Sequence, residues 1–122
     1  MRIVLDASSL LDEVALRDVA ALPHDVIVPA VAFAEALQAL SAAGVDLQAW
    51  RTALDRLGFE VEPLTAAEAA RWAPSQGTTW SARQGRDAMV AAHLRHEDLL
   101  WTTRPLDYLE LGVPATQIIL AE

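Results

Sequence analysis

Apolar runs of three or four residues recur along the chain, separated by stretches with helical spacing. Ile3-Val4-Leu5 and Val26-Ile27-Val28 read as short buried strands. Between them, residues 8–20 carry Leu10, Leu11, Val14 and Leu16 at helical spacing, which predicts one helix with these four as its core face. Pro23-His24-Asp25 is turn chemistry. Pro29 suits the first turn of the next helix, which runs through Phe33 and Leu40 and stops near Gly44. A further helix covers residues 47–57 and ends at Gly58. Phe59-Glu60-Val61 alternates like a strand. Thr65-Ala66-Ala67-Glu68 has the form of a capping box and opens a helix that ends before Pro74. Residues 75–85 are polar and read as a loop, and residues 87 to about 95 as a helix. Leu99-Leu100-Trp101-Thr102 and Gln117-Ile118-Ile119-Leu120 are the last strands. Strands alternating with helices predict an α/β domain with a mainly parallel sheet. Such sheets bind ligands beyond the carboxyl ends of their strands.

Length and composition narrow the picture. A chain of 122 residues, 53% of them hydrophobic, fits a single domain over residues 1–122 with a substantial core. A charge arrives at Asp6, too early for a signal peptide, and no apolar run approaches the roughly 20 residues of a membrane span. The expectation is a soluble, cytoplasmic protein with no membrane partner. Cys is absent, which excludes disulfides and thiolate zinc sites.

The formal net charge is -8, and all 9 basic residues are Arg. Without Lys there is no P-loop and no Schiff-base enzyme. A phosphoaccepting receiver domain, which also starts with a strand-end Asp, lacks its late Lys here. No two glycines are close enough for a dinucleotide fingerprint. Acidity also argues against a broad electrostatic grip on nucleic acid, so such a substrate needs a local Arg patch, a metal bridge or a basic partner.

Four acids sit against apolar sequence. Asp6 closes the first strand, Glu35 interrupts Val31-Ala32-Phe33-Ala34 and Ala36-Leu37, Asp87 opens Ala88-Met89-Val90-Ala91-Ala92, and Asp107 follows Trp101 to Leu106. A carboxylate in apolar surroundings is costly unless positive charge meets it. Taken singly, Asp6 and Asp87 read as helix caps and Asp107 as a turn residue beside Pro105. Glu35 resists such a reading because its helical face is apolar. Jointly, the four point to a shared divalent ion.

These blocks carry a resemblance. Ile3-Val4-Leu5-Asp6-Ala7-Ser8-Ser9, Val28-Pro29 through Glu35-Ala36-Leu37, Asp87 through Leu94, and Leu100-Trp101-Thr102-Thr103-Arg104-Pro105-Leu106-Asp107-Tyr108 resemble, in order, the four blocks of PIN-domain nucleases. The closest likeness is to VapC-like toxins of toxin–antitoxin pairs. The resemblance implies a three-layer α/β/α fold, an acidic pocket for Mg²⁺ or Mn²⁺, and endonucleolytic cleavage of RNA. It also implies a homodimer and a small antitoxin that blocks the pocket. Thr103 stands where family members often have Asn or Asp.

On this reading Asp6, Glu35 and Asp87 are the main metal ligands and catalytic residues, and Asp107 is a second-site or water-mediated ligand. Ser8 orients a water or a phosphate. Arg83, Arg86 and Arg104 fall near the pocket mouth, where Arg suits bidentate phosphate contact; the ordinary alternative for each is a surface ion pair. Without metal the acids should repel one another. His93 and His96, at i and i+3, are set aside as a zinc pair, since the chain has only one other His and no Cys. Trp101, Trp50 and Trp72 are read as core, and Trp80 as either an RNA-stacking residue or a loop anchor. The helices after Pro29 and Gly44 either form a groove for an antitoxin helix or pack on each other. Two other functions compete: a PIN-like binding module without catalysis, and a housekeeping RNA-processing nuclease.

Overall fold

The structure is a computed structural model that describes residues 1–72 and 77–121. The helix end expected before Pro74 and the loop start at Ser75 fall outside the described residues.

Five strands form one sheet: β1 (Arg2–Leu5), β2 (Asp25–Pro29), β3 (Glu60–Glu62), β4 (Leu99–Thr102) and β5 (Ile118–Leu120). Their order is β3-β2-β1-β4-β5, and every neighbouring pair is parallel. The α/β class with a parallel sheet is therefore as expected. The arrangement is consistent with a PIN fold without being peculiar to it. After Arg2 the central strand is apolar, and Ile3, Val4 and Leu5 are fully buried. That is what a strand covered on both faces requires.

The chain departs from β1 to β2 on one side and later returns to β4 on the other. The carboxyl ends of β1 and β4 consequently feed loops that diverge, which is the switch point where parallel sheets open a crevice. Asp6 directly follows β1, and Thr102 ends β4.

The helices depart from the sequence reading in instructive ways. The segment expected as one helix over residues 8–20 is two: α1 (Ala7–Leu10) and α2 (Glu13–Ala20). Asp12 ends the continuity by accepting a hydrogen bond from the Ala15 N–H at 3.0 Å and capping α2. The break changes which residues face inward. Leu10 and Val19 are buried and Leu16 packs on the core, whereas Leu11 and Val14, expected inside, are exposed. Pro29 ends β2 and is the N-cap of α3 (Ala30–Ala42) instead of lying in its first turn.

α4 (Leu47–Leu57) and α5 (Ala66–Arg71) begin as expected, α5 with the Thr65/Glu68 capping box. α4 ends at Gly58, whose φ of 78° is the left-handed conformation that only glycine adopts cheaply. Phe33 on α3 stacks on Trp50 on α4 at 5.7 Å between ring centroids, so those two helices pack on each other there.

The largest shift is α6 (Ala82–Ala91), which starts within the stretch expected as a loop. A capping box of Ser81 and Gln84 nucleates it. Asp87 is thus neither an N-cap nor a first-turn residue. α7 (Pro105–Glu110) was not expected from the sequence; it contains Asp107 in its first turn, which replaces the turn reading of that residue. Gln117, expected in the last strand, closes a 3₁₀ turn before β5. No helix among the described residues is long and apolar enough to cross a membrane.

Candidate functional site

Four elements bring the four acids together. Asp6 stands at the end of β1 and caps α1, Glu35 projects from the second turn of α3, Asp87 lies inside α6, and Asp107 lies in α7. Asp6 and Asp87 are 1% and 3% exposed, values at which an unpaired carboxylate is not tolerated.

Asp6 is held by four donors. Its Oδ1 accepts from the Ser8 hydroxyl at 2.6 Å and the Ser9 N–H at 3.0 Å. Its Oδ2 accepts from the Thr102 hydroxyl at 2.6 Å and the Tyr108 hydroxyl at 3.1 Å. The first pair arises from capping, as the single-residue reading of Asp6 anticipated. The second pair joins β1 to β4 and α7 and has no place in that reading. The Ser8 hydroxyl also accepts from the Thr103 N–H at 3.1 Å, and the Ser9 hydroxyl donates to the Trp101 carbonyl at 2.6 Å. The crevice between β1 and β4 is therefore stitched by side chains where the strands stop pairing.

Arg104 supplies the positive centre. Its guanidinium donates to both oxygens of Asp87, Nη2 to Oδ1 at 2.9 Å and Nη1 to Oδ2 at 3.2 Å, in the fork geometry that Arg favours. Nη1 also donates to Asp107 Oδ2 at 2.8 Å, and Nη2 lies 3.7 Å from Asp6 Oδ2. One cation thus sits among three of the four acids. Arg83 donates to Asp107 at 2.8 Å, and Arg86 pairs with Glu35 at 3.3 Å. Four carboxylates meet three guanidiniums, leaving one negative charge in excess. The mutual repulsion expected of the acids is largely offset by these partners. The three arginines expected at the pocket mouth face the acids themselves, and Arg104 lies deeper than the others.

The ionisation of the site follows from this packing. Burial opposes the charge on Arg104, but the hydrogen bond and charge of Asp87, with the charge of Asp6, outweigh it and hold its pKa above the ordinary arginine value. Burial, then the charges of Asp6 and Asp87, push the Tyr108 phenol upward, so it is a permanent donor. Glu35 is raised above its usual 4.5 by burial, which the Arg86 charge only partly counters and Asp87 reinforces.

The donor set has the chemistry of a hard divalent-cation site but is not drawn together for one: among the described residues, no three of the four acids bring an oxygen each within 4.8 Å of one another. Hard ions such as Mg²⁺ and Mn²⁺ take carboxylate oxygens, and the guanidinium of Arg104 marks a point where Asp6, Asp87 and Asp107 already surround a positive charge. Glu35 flanks that point and is coupled to Asp87 electrostatically. Thr102 and Tyr108, both fully buried, are the residues that sequence reasoning left without a role. The signal for Tyr108 was present: it is the only Tyr of the chain, beside Asp107, and a buried phenol needs a polar partner.

The histidines and tryptophans separate as well. His96 is exposed and His93 is fully buried, so they are not a ligand pair, and because α6 ends at Ala91, short of the expected residue 95, both follow the helix instead of lying on it. Trp50, Trp72 and Trp101 are partly buried against the core. Trp80 is half-buried beside Leu64, Trp72 and Met89, in an apolar pocket between α5 and α6, the anchoring alternative for that residue. No family model matches the chain, and no curated protein matches it.

Proposed function

We propose that this chain is a metal-dependent endoribonuclease of the PIN type, acting as the toxin of a toxin–antitoxin pair. The observation that carries the nuclease reading is the convergence of Asp6, Asp87 and Asp107 on one cation at the β1/β4 switch point, with Glu35 beside it. Mg²⁺ or Mn²⁺, which Asp6, Glu35, Asp87 and Asp107 would hold, would supply positive charge to a phosphate and lower the pKa of a water.

The chain's own residues do the rest. Ser8, Ser9, Thr102 and Tyr108 fix the Asp6 carboxylate, so it presents the same oxygens in every turnover. Arg83, more than half exposed, is the arginine best able to reach an RNA phosphate from the rim. Arg86 and Arg104 serve the phosphate after exchanging their carboxylate partners. Ser8 orients a water or a phosphate oxygen from the pocket floor. A homodimer and an antitoxin that blocks the pocket complete the proposal, and these rest on the resemblance alone.

One observation favours the alternative of a PIN-like binding module without catalysis. Arg104 already occupies the centre of the acids, as a residue that replaced the ion would. Incubation of purified protein with RNA, with and without Mn²⁺, beside an Asp6→Asn control, separates the two. Cleavage that needs both the ion and Asp6 supports the nuclease; intact RNA at every ion concentration supports the binding module.

A further inference from the structure

A second polar cluster lies away from the acids described above. Glu62 ends β3, Glu68 lies in the first turn of α5, and His93 follows α6. One ligand atom of each lies within 4.8 Å of the others. Two carboxylates near each other are common on protein surfaces. The imidazole between them is not: His93 is 0% exposed, and neither Nδ1 nor Nε2 has a hydrogen-bond partner among the described residues. Buried polar groups are nearly always satisfied, so an imidazole with both nitrogens bare among the described residues, beside two carboxylates, is a candidate for an added ligand.

The surroundings leave the carboxylates room to serve. Arg2 donates to Glu62 Oε2 at 3.2 Å, and the Thr65 N–H donates to Glu68 Oε1 at 3.0 Å. The other oxygen of each carboxylate accepts no hydrogen bond among the described residues. Burial holds the His93 pKa below its usual 6.5, which keeps a lone pair available at neutral pH.

We propose that Glu62, Glu68 and His93 form a binding site for one transition-metal ion of the zinc class. An imidazole with two carboxylates is a three-ligand set that leaves a fourth position for water. Imidazole nitrogen also discriminates: it favours Zn²⁺, Co²⁺ and Ni²⁺, whereas the all-oxygen pocket at the β1/β4 switch point suits Mg²⁺ and Mn²⁺. Bonds of about 2.0–2.2 Å need the ligand atoms to close slightly, which rotation of the two part-exposed carboxylates provides. The site ties β3, α5 and the end of α6 together, and it does not depend on the ribonuclease reading.

The test is a Zn²⁺ titration of the full chain, with excess Mg²⁺ present as a competitor for all-oxygen sites, followed by calorimetry. Co²⁺ absorption serves as a spectroscopic check on nitrogen ligation. The expected result is one equivalent of Zn²⁺ bound. Glu68→Gln retains the capping-box acceptor for the Thr65 N–H, so its fold is preserved. It should weaken binding by at least about tenfold, the scale on which even outer-shell partners weaken metal sites. Glu62→Gln should do the same, and His93→Gln should abolish both the binding and the Co²⁺ bands. Failure of the wild type to bind Zn²⁺, or a loss smaller than tenfold in both carboxylate variants, overturns the proposal.

Discussion

Two polar clusters in this fold are built in opposite ways. At the β1/β4 crevice, buried carboxylates are fully partnered: Asp6 has four donors, and Asp87 has a two-pronged guanidinium. At the β3/α5/α6 corner, a buried imidazole has no partner among the described residues. The buried carboxylates of the first cluster are satisfied without any ligand because Arg104 already provides the cation. The second is paid for by the surrounding fold, at about 1–3 kcal/mol for a buried group left unsatisfied. Full satisfaction implies that a ligand must compete with an internal partner; an orphaned group implies that a ligand adds a partner. The two clusters should therefore respond differently to substitution and to metal.

The largest effect should come from Arg104→Ala. It removes the one cation shared by Asp6, Asp87 and Asp107 and leaves buried carboxylates facing each other. The expected loss is about 3 kcal/mol or more of stability, read by chemical denaturation. Mn²⁺ should raise the melting temperature of this variant more than that of the wild type, since the ion no longer competes with a guanidinium. An equal rise in both would show that Arg104 and the ion do not share a position.

Asp6→Asn should cost about 2 kcal/mol, because an amide cannot accept from donors on both sides. On repulsion between the acids alone, the substitution would be neutral or stabilising; the hydrogen-bond network reverses that sign. A denaturation midpoint at or above the wild-type value would mean that the network is worth less than the repulsion.

His93→Leu tests the other cluster. Replacing a buried imidazole that has no partner among the described residues by an apolar side chain should leave metal-free stability unchanged or raise it by about 1 kcal/mol. The pH dependence should change with it. A His whose folded pKa is depressed contributes stability that is present above its unfolded value of 6.5 and is lost as pH falls through the folded value. Wild-type stability should thus decline on acidification below about 6.5, and His93→Leu should lack that component. An identical decline in both would remove His93 as its source.

Smaller effects are expected at the rim. The raised pKa of Glu35 means that its ionisation costs stability as pH rises from 4.5 through the folded value. Glu35→Gln should therefore be neutral or slightly stabilising at pH 7, while removing cleavage if Glu35 is a ligand. Arg86→Ala should weaken RNA binding and flatten its salt dependence by less than one unit of log-log slope. An unchanged slope takes Arg86 out of the RNA contact.

Much of this arrangement was legible in the sequence. Four of the strands were marked by unbroken apolar runs and β3 by the alternation of Phe59-Glu60-Val61, and their alternation with helices pointed to the parallel sheet. The four acids were visible because apolar neighbours made them conspicuous. What stayed hidden depended on helix starts. Ser81 and Gln84 form a capping box inside a polar, Gly-containing stretch, so α6 looked like a loop and Asp87 like a cap. Asp12 looked like one more polar residue in a continuous helix, and only its hydrogen bond to Ala15 shows the break. Partners in space were hidden too. Nothing local tells that Thr102 and Tyr108 meet Asp6 from 96 and 102 residues away. Nor does the spacing of His93 and His96 reveal that His93 turns inward, toward Glu62 and Glu68.

The most direct test of the acidic pocket is Mn²⁺ binding followed by electron paramagnetic resonance in the wild type, Asp87→Asn and Glu68→Gln. Asp87→Asn should lose the bound Mn²⁺ signal while Glu68→Gln keeps it. Wild-type Mn²⁺ binding in Asp87→Asn would contradict the assignment of the four acids to a metal centre.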